Sequence, residues 1–221
     1  MRRFARWHIW LGWLVAIPLL LWTASGLLMV LRPIDEVRGT TLRIEHPPQP
    51  LRVKLGTGGD TLLREGRLLN QRGRSILLAT YPDGTVARID LAGGSNAPLP
   101  PVDEAEARRA VAYAIKGGDR VTAVRLFPAE AVPFDFRKAM PVWQVTLADQ
   151  THVYVGRDTG EIEALRTRWW RAFDFMWGLH IMDPVEREDT SHPVLIISAA
   201  LALVSVVLGT ALLFRRRKVR T

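Results

Sequence analysis

The residues able to do chemistry in this chain are few, and most lie near its two ends. His8 stands in the opening stretch RFARWHIWLG, while His180 and His192 bracket the acidic run HIMDPVEREDTSH near the close. A neutral imidazole suits iron, zinc or proton transfer. His180, Asp183, Glu186, Asp189 and His192 recur every third residue, and two readings fit that spacing. One is a metal site of imidazole and carboxylate ligands, of the kind that takes zinc or iron. The other is structural: Pro184 interrupts helix, and Asp189, Thr190 and Ser191 lead into His192-Pro193 as a helix start, where acidic groups meet the favourable end of the helix dipole.

Other chemistries find no candidates. The sequence has no Cys, which removes disulfides, thiolate metal sites and a cysteine nucleophile. It has no H-E-x-x-H run and no Ser convincingly paired with a His and an acid, the patterns of metal-dependent and serine hydrolases. His46 and His152 read as surface or strand residues.

Two apolar stretches must position the terminal histidines. Ile9 to Leu31 and Val194 to Phe214 carry no charge and are long enough to cross a hydrocarbon core of roughly 30 Å. The first is too long for a signal-peptide core and lacks a small-residue cleavage site, so it reads as retained. Arg2, Arg3 and Arg6 precede the first span; Arg215, Arg216, Arg217, Lys218 and Arg220 follow the second. The net +8 resides in these tails, because the loop between the spans is balanced and holds all 22 Asp and Glu. Basic residues at span ends stay in the cytoplasm, which predicts two cytoplasmic termini and a periplasmic loop in a bacterial inner membrane. With the positive charge at membrane edges, nucleic-acid binding has little support.

The expected organisation is a cytoplasmic tail (1–8), a first transmembrane helix (9–31), a periplasmic domain (32–168), an amphipathic juxtamembrane helix with its acidic corner (169–192), a second transmembrane helix (193–214) and a basic cytoplasmic tail (215–221). In the first span Pro18 should loosen the helix, and Ser25-Gly26 offers a small face for close helix contact. In the loop, HPPQP at 46–50 is an extended linker. Arg74 to Leu91 alternates as a hairpin about Pro82-Asp83-Gly84, and Gly93 to Pro101 is a break. Asp103 caps a helix with Glu106 three residues on, and Gly117-Gly118 ends it. Strands follow at Val121 to Phe127, Val142 to Leu147, His152 to Val155 and Ile162 to Leu165. A helix on an antiparallel sheet is an α+β module. From Trp169 to His180, helical spacing gathers Trp169, Phe173, Met176, Trp177 and His180 on one face, with Arg168, Arg171 and Asp174 on a narrower polar side. Such a helix is expected to lie on the outer membrane surface.

The series DEAEARRAVAYA, RVTAVRLF and PVWQVTLADQTHVYVGRDTGEIEAL resembles a PepSY domain, whose final hairpin carries the turn matched at Asp158 to Glu161. With the flanking spans, nearly the full chain resembles the PepSY-associated transmembrane family. His8, Trp10, Leu11 and Gly12 match its N-terminal helix motif, Leu179 and His180 a Leu-His pair ahead of a later helix, and Gly209 and Leu212 a closing Gly-x-x-Leu. The resemblance implies two kinds of function. Larger relatives with about four spans are similar to membrane reductases that bind haem b and reduce ferric siderophores; PepSY modules elsewhere resemble inhibitors or chaperone-like regulators of peptidases. This chain differs from the reductases in having two spans and no further histidine inside either.

The first kind makes the chain a haem-binding or accessory component of membrane electron transfer, and if an enzyme, part of a haem-dependent reductase. His8 and His180 are then the ligands. They lie at opposite membrane edges, on the order of 30 Å apart, so they cannot share one iron. A parallel homodimer would set each histidine beside its twin, giving two bis-histidine sites and four spans. The second kind makes the chain a non-enzymatic tether whose periplasmic domain holds a peptidase, reductase or transporter.

Overall fold

A computed structural model describes residues 2–53, 62–92 and 97–218. The expected break at 93–96 and the tail residues 219–221 lie outside the described residues. The chain forms two units, one of residues 1–33 with 171–221 and one of residues 34–170. Apolar helices at the termini flank a domain of antiparallel strands and one main helix, the α+β arrangement that the sequence predicts.

In the helix unit, α1 (Arg2–Val30) and α5 (Pro193–Lys218) pack against each other. Both contain segments long and apolar enough to cross a membrane, within Arg3–Val30 and Pro193–Phe214. Most of their large side chains face outward; Trp13, Leu20, Val206 and Leu213 are all exposed. Such a surface suits contact with lipid rather than water. Helix α1 begins well before the apolar run and passes through Pro18 without ending. Pro193 occupies the first turn of α5, where its missing N–H costs no intrahelical bond.

The sheet unit opens with the short helix α2 (Ile34–Arg38). Strands β1 (Glu65–Gln71), β2 (Arg74–Thr80) and β3 (Val86–Asp90) then form an antiparallel sheet in that order. The predicted hairpin is β2 and β3, in register from Thr80 opposite Val86 to Ile76 opposite Asp90. Its turn is closed by Tyr81 N–H donating to the Thr85 carbonyl at 2.8 Å, with Thr85 N–H donating to Asp83 Oδ1. Strand β1 is an addition to the sequence reading. Its residues EGRLLNQ do not alternate, and most are exposed.

Helix α3 (Glu104–Ala114) starts where expected, with Asp103 Oδ1 accepting the Glu106 N–H at 2.6 Å. Strands β4 (Val121–Phe127), β5 (Val142–Leu147), β6 (His152–Gly156) and β7 (Ile162–Arg166) form an antiparallel meander in chain order. Alternation along β5 and β6 splits the core into two layers. Val145, Leu147, Val153 and Val155 meet Ala107, Ala110 and Val111 of α3. On the other face, Val142, Tyr154 and Ala164 are covered by Phe136.

Glu106 joins α3 to the first sheet. Arg88, only 3% exposed, donates through Nη1 and Nη2 to the two Glu106 carboxylate oxygens at 2.6 and 3.2 Å, and Arg72 Nη2 donates to one of them at 2.7 Å. Arg88 also donates to the Pro100 carbonyl, and Gln71 Nε2 donates to the Thr159 carbonyl in the Asp158–Glu161 turn. A buried guanidinium needs such a set of acceptors.

Candidate functional site

Helix α4 (Arg168–His180) leads from the last strand, and its residues from Arg171 onward belong to the helix unit. At its C-terminal end His180 meets α1. The imidazole stacks on the Trp22 ring at 5.2 Å between centroids and 20° between planes. Its Nδ1 lies 3.1 Å from the Trp22 carbonyl oxygen and 3.1 Å from Ser25 Oγ, and the Ser25 hydroxyl donates to that same carbonyl at 3.0 Å. Ser25 is 2% exposed. Gly26 makes room for the ring, since a β-carbon there would stand 3.1 Å from His180 Cε1. Nε2 has no hydrogen-bond partner among the described residues.

His180 lines a cavity of about 560 Å³. Its other walls are mainly apolar, with Val15, Leu19 and Trp22 from α1, Trp177 from α4, and Leu195 and Ala199 from α5. That volume falls within the roughly 300–1,000 Å³ of pockets that take small ligands and cofactors. An apolar cavity holding one imidazole with a free ring nitrogen is suited to a flat apolar cofactor that accepts an axial nitrogen ligand.

His8 occupies the other end of the helix pair. It rests on Gly209 of α5, where a β-carbon would come within 2.9 Å of His8 Cε1. Its Nδ1 is buried with no partner among the described residues. Along α1, His8 is separated from the Trp22–Gly26 segment by ~21–27 Å at 1.5 Å per residue. One chain therefore keeps its two terminal histidines apart.

The acidic corner is built from caps. The Asp183 carboxylate accepts N–H groups from Glu186 at 3.1 Å, Glu188 at 3.1 Å and Asp189 at 3.3 Å. Its partial burial opposes the charge, but these backbone donors outweigh that effect and hold the carboxyl below the usual aspartate range. Asp189 Oδ1 accepts the Ser191 N–H at 2.8 Å, and the His192 carbonyl accepts the Leu195 N–H in the first turn of α5. The Glu186 side chain is exposed, and His192 Nδ1 is buried without a partner among the described residues. No group of three or more His, Asp or Glu side chains able to hold a metal ion occurs among the described residues.

One residue assigned to the polar side of α4 behaves differently. Asp174 is buried, 5% exposed, and pairs with Arg187 at 2.8 Å. The corner folds back over the helix, with Trp177 Nε1 donating to the Arg187 carbonyl at 3.1 Å, so this side of α4 is covered by its own chain.

Ser25, the Trp22 carbonyl and the glycine seats at 26 and 209 were not read from sequence as parts of a site. The Ser25-Gly26 pair and the glycine of Gly-x-x-Leu were their only signals. In the sheet unit, His152 belongs to a separate network. Its Nδ1 lies 3.1 Å from Asp135 Oδ2, while Tyr154 donates to Asp135 Oδ1 at 2.6 Å and Gln144 donates to the Tyr154 oxygen at 2.6 Å. Arg166 Nε donates to the Asp135 carbonyl at 2.7 Å, which fastens the segment between β4 and β5 to the sheet. His46 stacks on Tyr113 at 3.8 Å and contacts its carbonyl oxygen through Nε2.

The family model of the PepSY-associated TM region matches residues 2–221. No curated protein and no solved structure matches the chain.

Proposed function

The chain belongs to the family of the PepSY-associated TM region, and from that premise we propose that it is a haem-binding component of membrane electron transfer serving iron or siderophore reduction. The observation that supports this reading is the position of His180: an imidazole held at Nδ1, free at Nε2, on the wall of an apolar cavity of about 560 Å³. The donor set fits haem b better than a bare metal ion, because the cavity contributes one nitrogen ligand and an apolar surround, whereas the neighbouring Asp183 is engaged by backbone N–H groups. His180 would hold the iron, with Val15, Leu19, Trp177 and Leu195 around the ring. Bound there, haem would supply a one-electron ferric/ferrous couple.

The basic tails support an inner-membrane topology with cytoplasmic termini and a periplasmic sheet unit. A parallel homodimer completes the proposal: it brings a second His180 to the outer site and a second His8 to the inner edge, where the buried, unpartnered Nδ1 of His8 leaves polar capacity unused. The electron donor is then another membrane or cytoplasmic protein.

A second reading rests on the four-stranded sheet, whose edge strand β4 carries exposed Thr122, Arg125 and Leu126. An open edge accepts an extended segment from a partner. On this reading the chain is a tethered interaction module for a peptidase, reductase or transporter.

Oxidised and dithionite-reduced absorbance spectra of the detergent-purified protein, with His180→Ala and His8→Ala alongside, distinguish the two. A Soret band lost in His180→Ala supports haem ligation. A wild type that stays colourless after haem addition refutes it and leaves the interaction reading.

A further inference from the structure

We propose that Ser25 is the positioning residue of the His180 site: with the Trp22 carbonyl it fixes the Nδ1–H tautomer of the imidazole, so that Nε2 carries the lone pair as the ligating atom. The haem reading supplies the ligand for this inference, but the tautomer follows from the apoprotein alone.

Trp22 carbonyl oxygen is an acceptor only, and it lies 3.1 Å from His180 Nδ1. A lone pair on Nδ1 would face the carbonyl's lone pairs at that distance, so the carbonyl favours a proton on Nδ1. Ser25 has a hydroxyl that can point either way, and it donates to the same carbonyl at 3.0 Å. With its proton spent there, its oxygen presents a lone pair to Nδ1 at 3.1 Å. Two acceptors therefore converge on one imidazole proton, and the other ring nitrogen is left unprotonated.

The second acceptor has a consequence beyond tautomer choice. A ligating histidine whose far N–H is held by a carbonyl or hydroxyl is oriented and made more basic, which strengthens its bond to a metal. Ser25 is buried, so its contact is not diluted by water. Gly26 belongs to the same device, since a β-carbon there would stand 3.1 Å from Cε1 and press on the ring that the two acceptors hold.

The test uses the full chain in detergent with nitrogen-15-labelled histidine, the His180 signals being identified by their loss in His180→Ala. In the haem-free wild type the expected spectrum has Nδ1 protonated and Nε2 unprotonated. In Ser25→Ala the Nε2–H form should appear beside it. Haemin titration should then show roughly tenfold weaker binding in Ser25→Ala, at the low end of the 10–100-fold usual for outer-shell partners, because the Trp22 carbonyl remains. Ser25→Thr, which keeps the hydroxyl, should restore both readouts. A wild type in the Nε2–H form, or a Ser25→Ala protein with unchanged tautomer and unchanged haemin affinity, overturns the inference. If the wild type shows the Nδ1–H tautomer and Ser25→Ala shifts it, absence of haemin binding overturns the haem reading while upholding the role of Ser25 in setting the tautomer.

Discussion

Replacing Glu106 by Gln keeps the shape of the side chain but removes the charge that neutralises Arg88. The structure sets the size of the effect. Arg88 is 3% exposed and donates to both Glu106 oxygens at 2.6 and 3.2 Å; in the variant one oxygen becomes an amide that cannot accept. Breaking a buried pair by removing one partner typically costs 3–5 kcal/mol. Arg88 retains the Pro100 carbonyl and Gln71, and Arg72 is partly solvated, so the low end applies, about 3 kcal/mol. For a unit of this size that lowers the melting temperature by roughly 10 °C. The half-buried Trp143, whose indole donates to the Val102 carbonyl beside α3, is a fluorescent reporter within this unit.

Acid supplies the control. The hydrogen bond from Arg88 lowers the Glu106 pKa, partial burial opposes it, and the charges of Arg88 and Arg72 reinforce the lowering. A carboxyl whose folded pKa is depressed stabilises the fold above its unfolded value, here 4.5, and that contribution is lost as the pH falls through the folded value. Wild type and Glu106→Gln should therefore differ by the full amount at neutral pH, begin to converge below pH 4.5, and meet only once the pH has passed below the depressed folded value, where both side chains are neutral. A gap under about 1 kcal/mol at neutral pH, or one that does not narrow in acid, would refute the account of Glu106 as the acceptor that Arg88 requires.

Three further outcomes are expected. Tyr154→Phe removes the hydroxyl that joins Asp135 to Gln144 and should destabilise the sheet unit by about 1–2 kcal/mol in denaturant titrations. In the wild type, burial followed by the hydrogen bond and charge of Asp135 pushes this phenol well above the usual tyrosine range. Its contribution is thus present below pH 10 and lost as the pH rises through the folded value, and near-ultraviolet phenolate absorbance should show one tyrosine ionising only with unfolding. Asp183→Asn retains a single acceptor oxygen for three N–H groups, so amide exchange at Glu186, Glu188 and Asp189 should accelerate; the wild type should show the same loosening as acid takes Asp183 below its depressed pKa. Gly209→Val should lower the melting temperature of the helix unit in detergent and leave that of the sheet unit unchanged, because the new side chain collides with His8.

The sequence carries local signals more openly than distant ones. Asp103 and Glu106 announce the start of α3 because a cap is satisfied within three residues. The two spans are legible because a bilayer demands length and apolarity of each helix separately. Strand β1 escapes notice because its partner, β2, supplies the pairing while most of its own side chains stay exposed. Asp174 reads as a solvent-facing residue by helical spacing, yet Arg187, in a loop whose backbone adopts left-handed angles at Met182 and Arg187, covers it. Glu106 shows both sides: its cap is local, whereas its pairing with Arg88 and Arg72 depends on strands brought to it by the fold. His180 could be singled out as a histidine among aromatic residues, but its contacts with Trp22 and Ser25 cross most of the chain. Sequence periodicity holds no record of such a meeting.

The two glycine seats bear on how substitutions in this helix unit will be tolerated. Gly26 and Gly209 possess no side chain and can neither ligate nor donate from one, yet each marks the point where an imidazole from another helix comes close to the backbone. At such a position every other residue adds volume, so even alanine, ordinarily the mildest replacement, intrudes on the ring. A mutational scan should register a cost at both glycines that grows with the size of the replacement, although neither carries a functional group. What it would be detecting at both is vacancy, a shape defined by absent atoms.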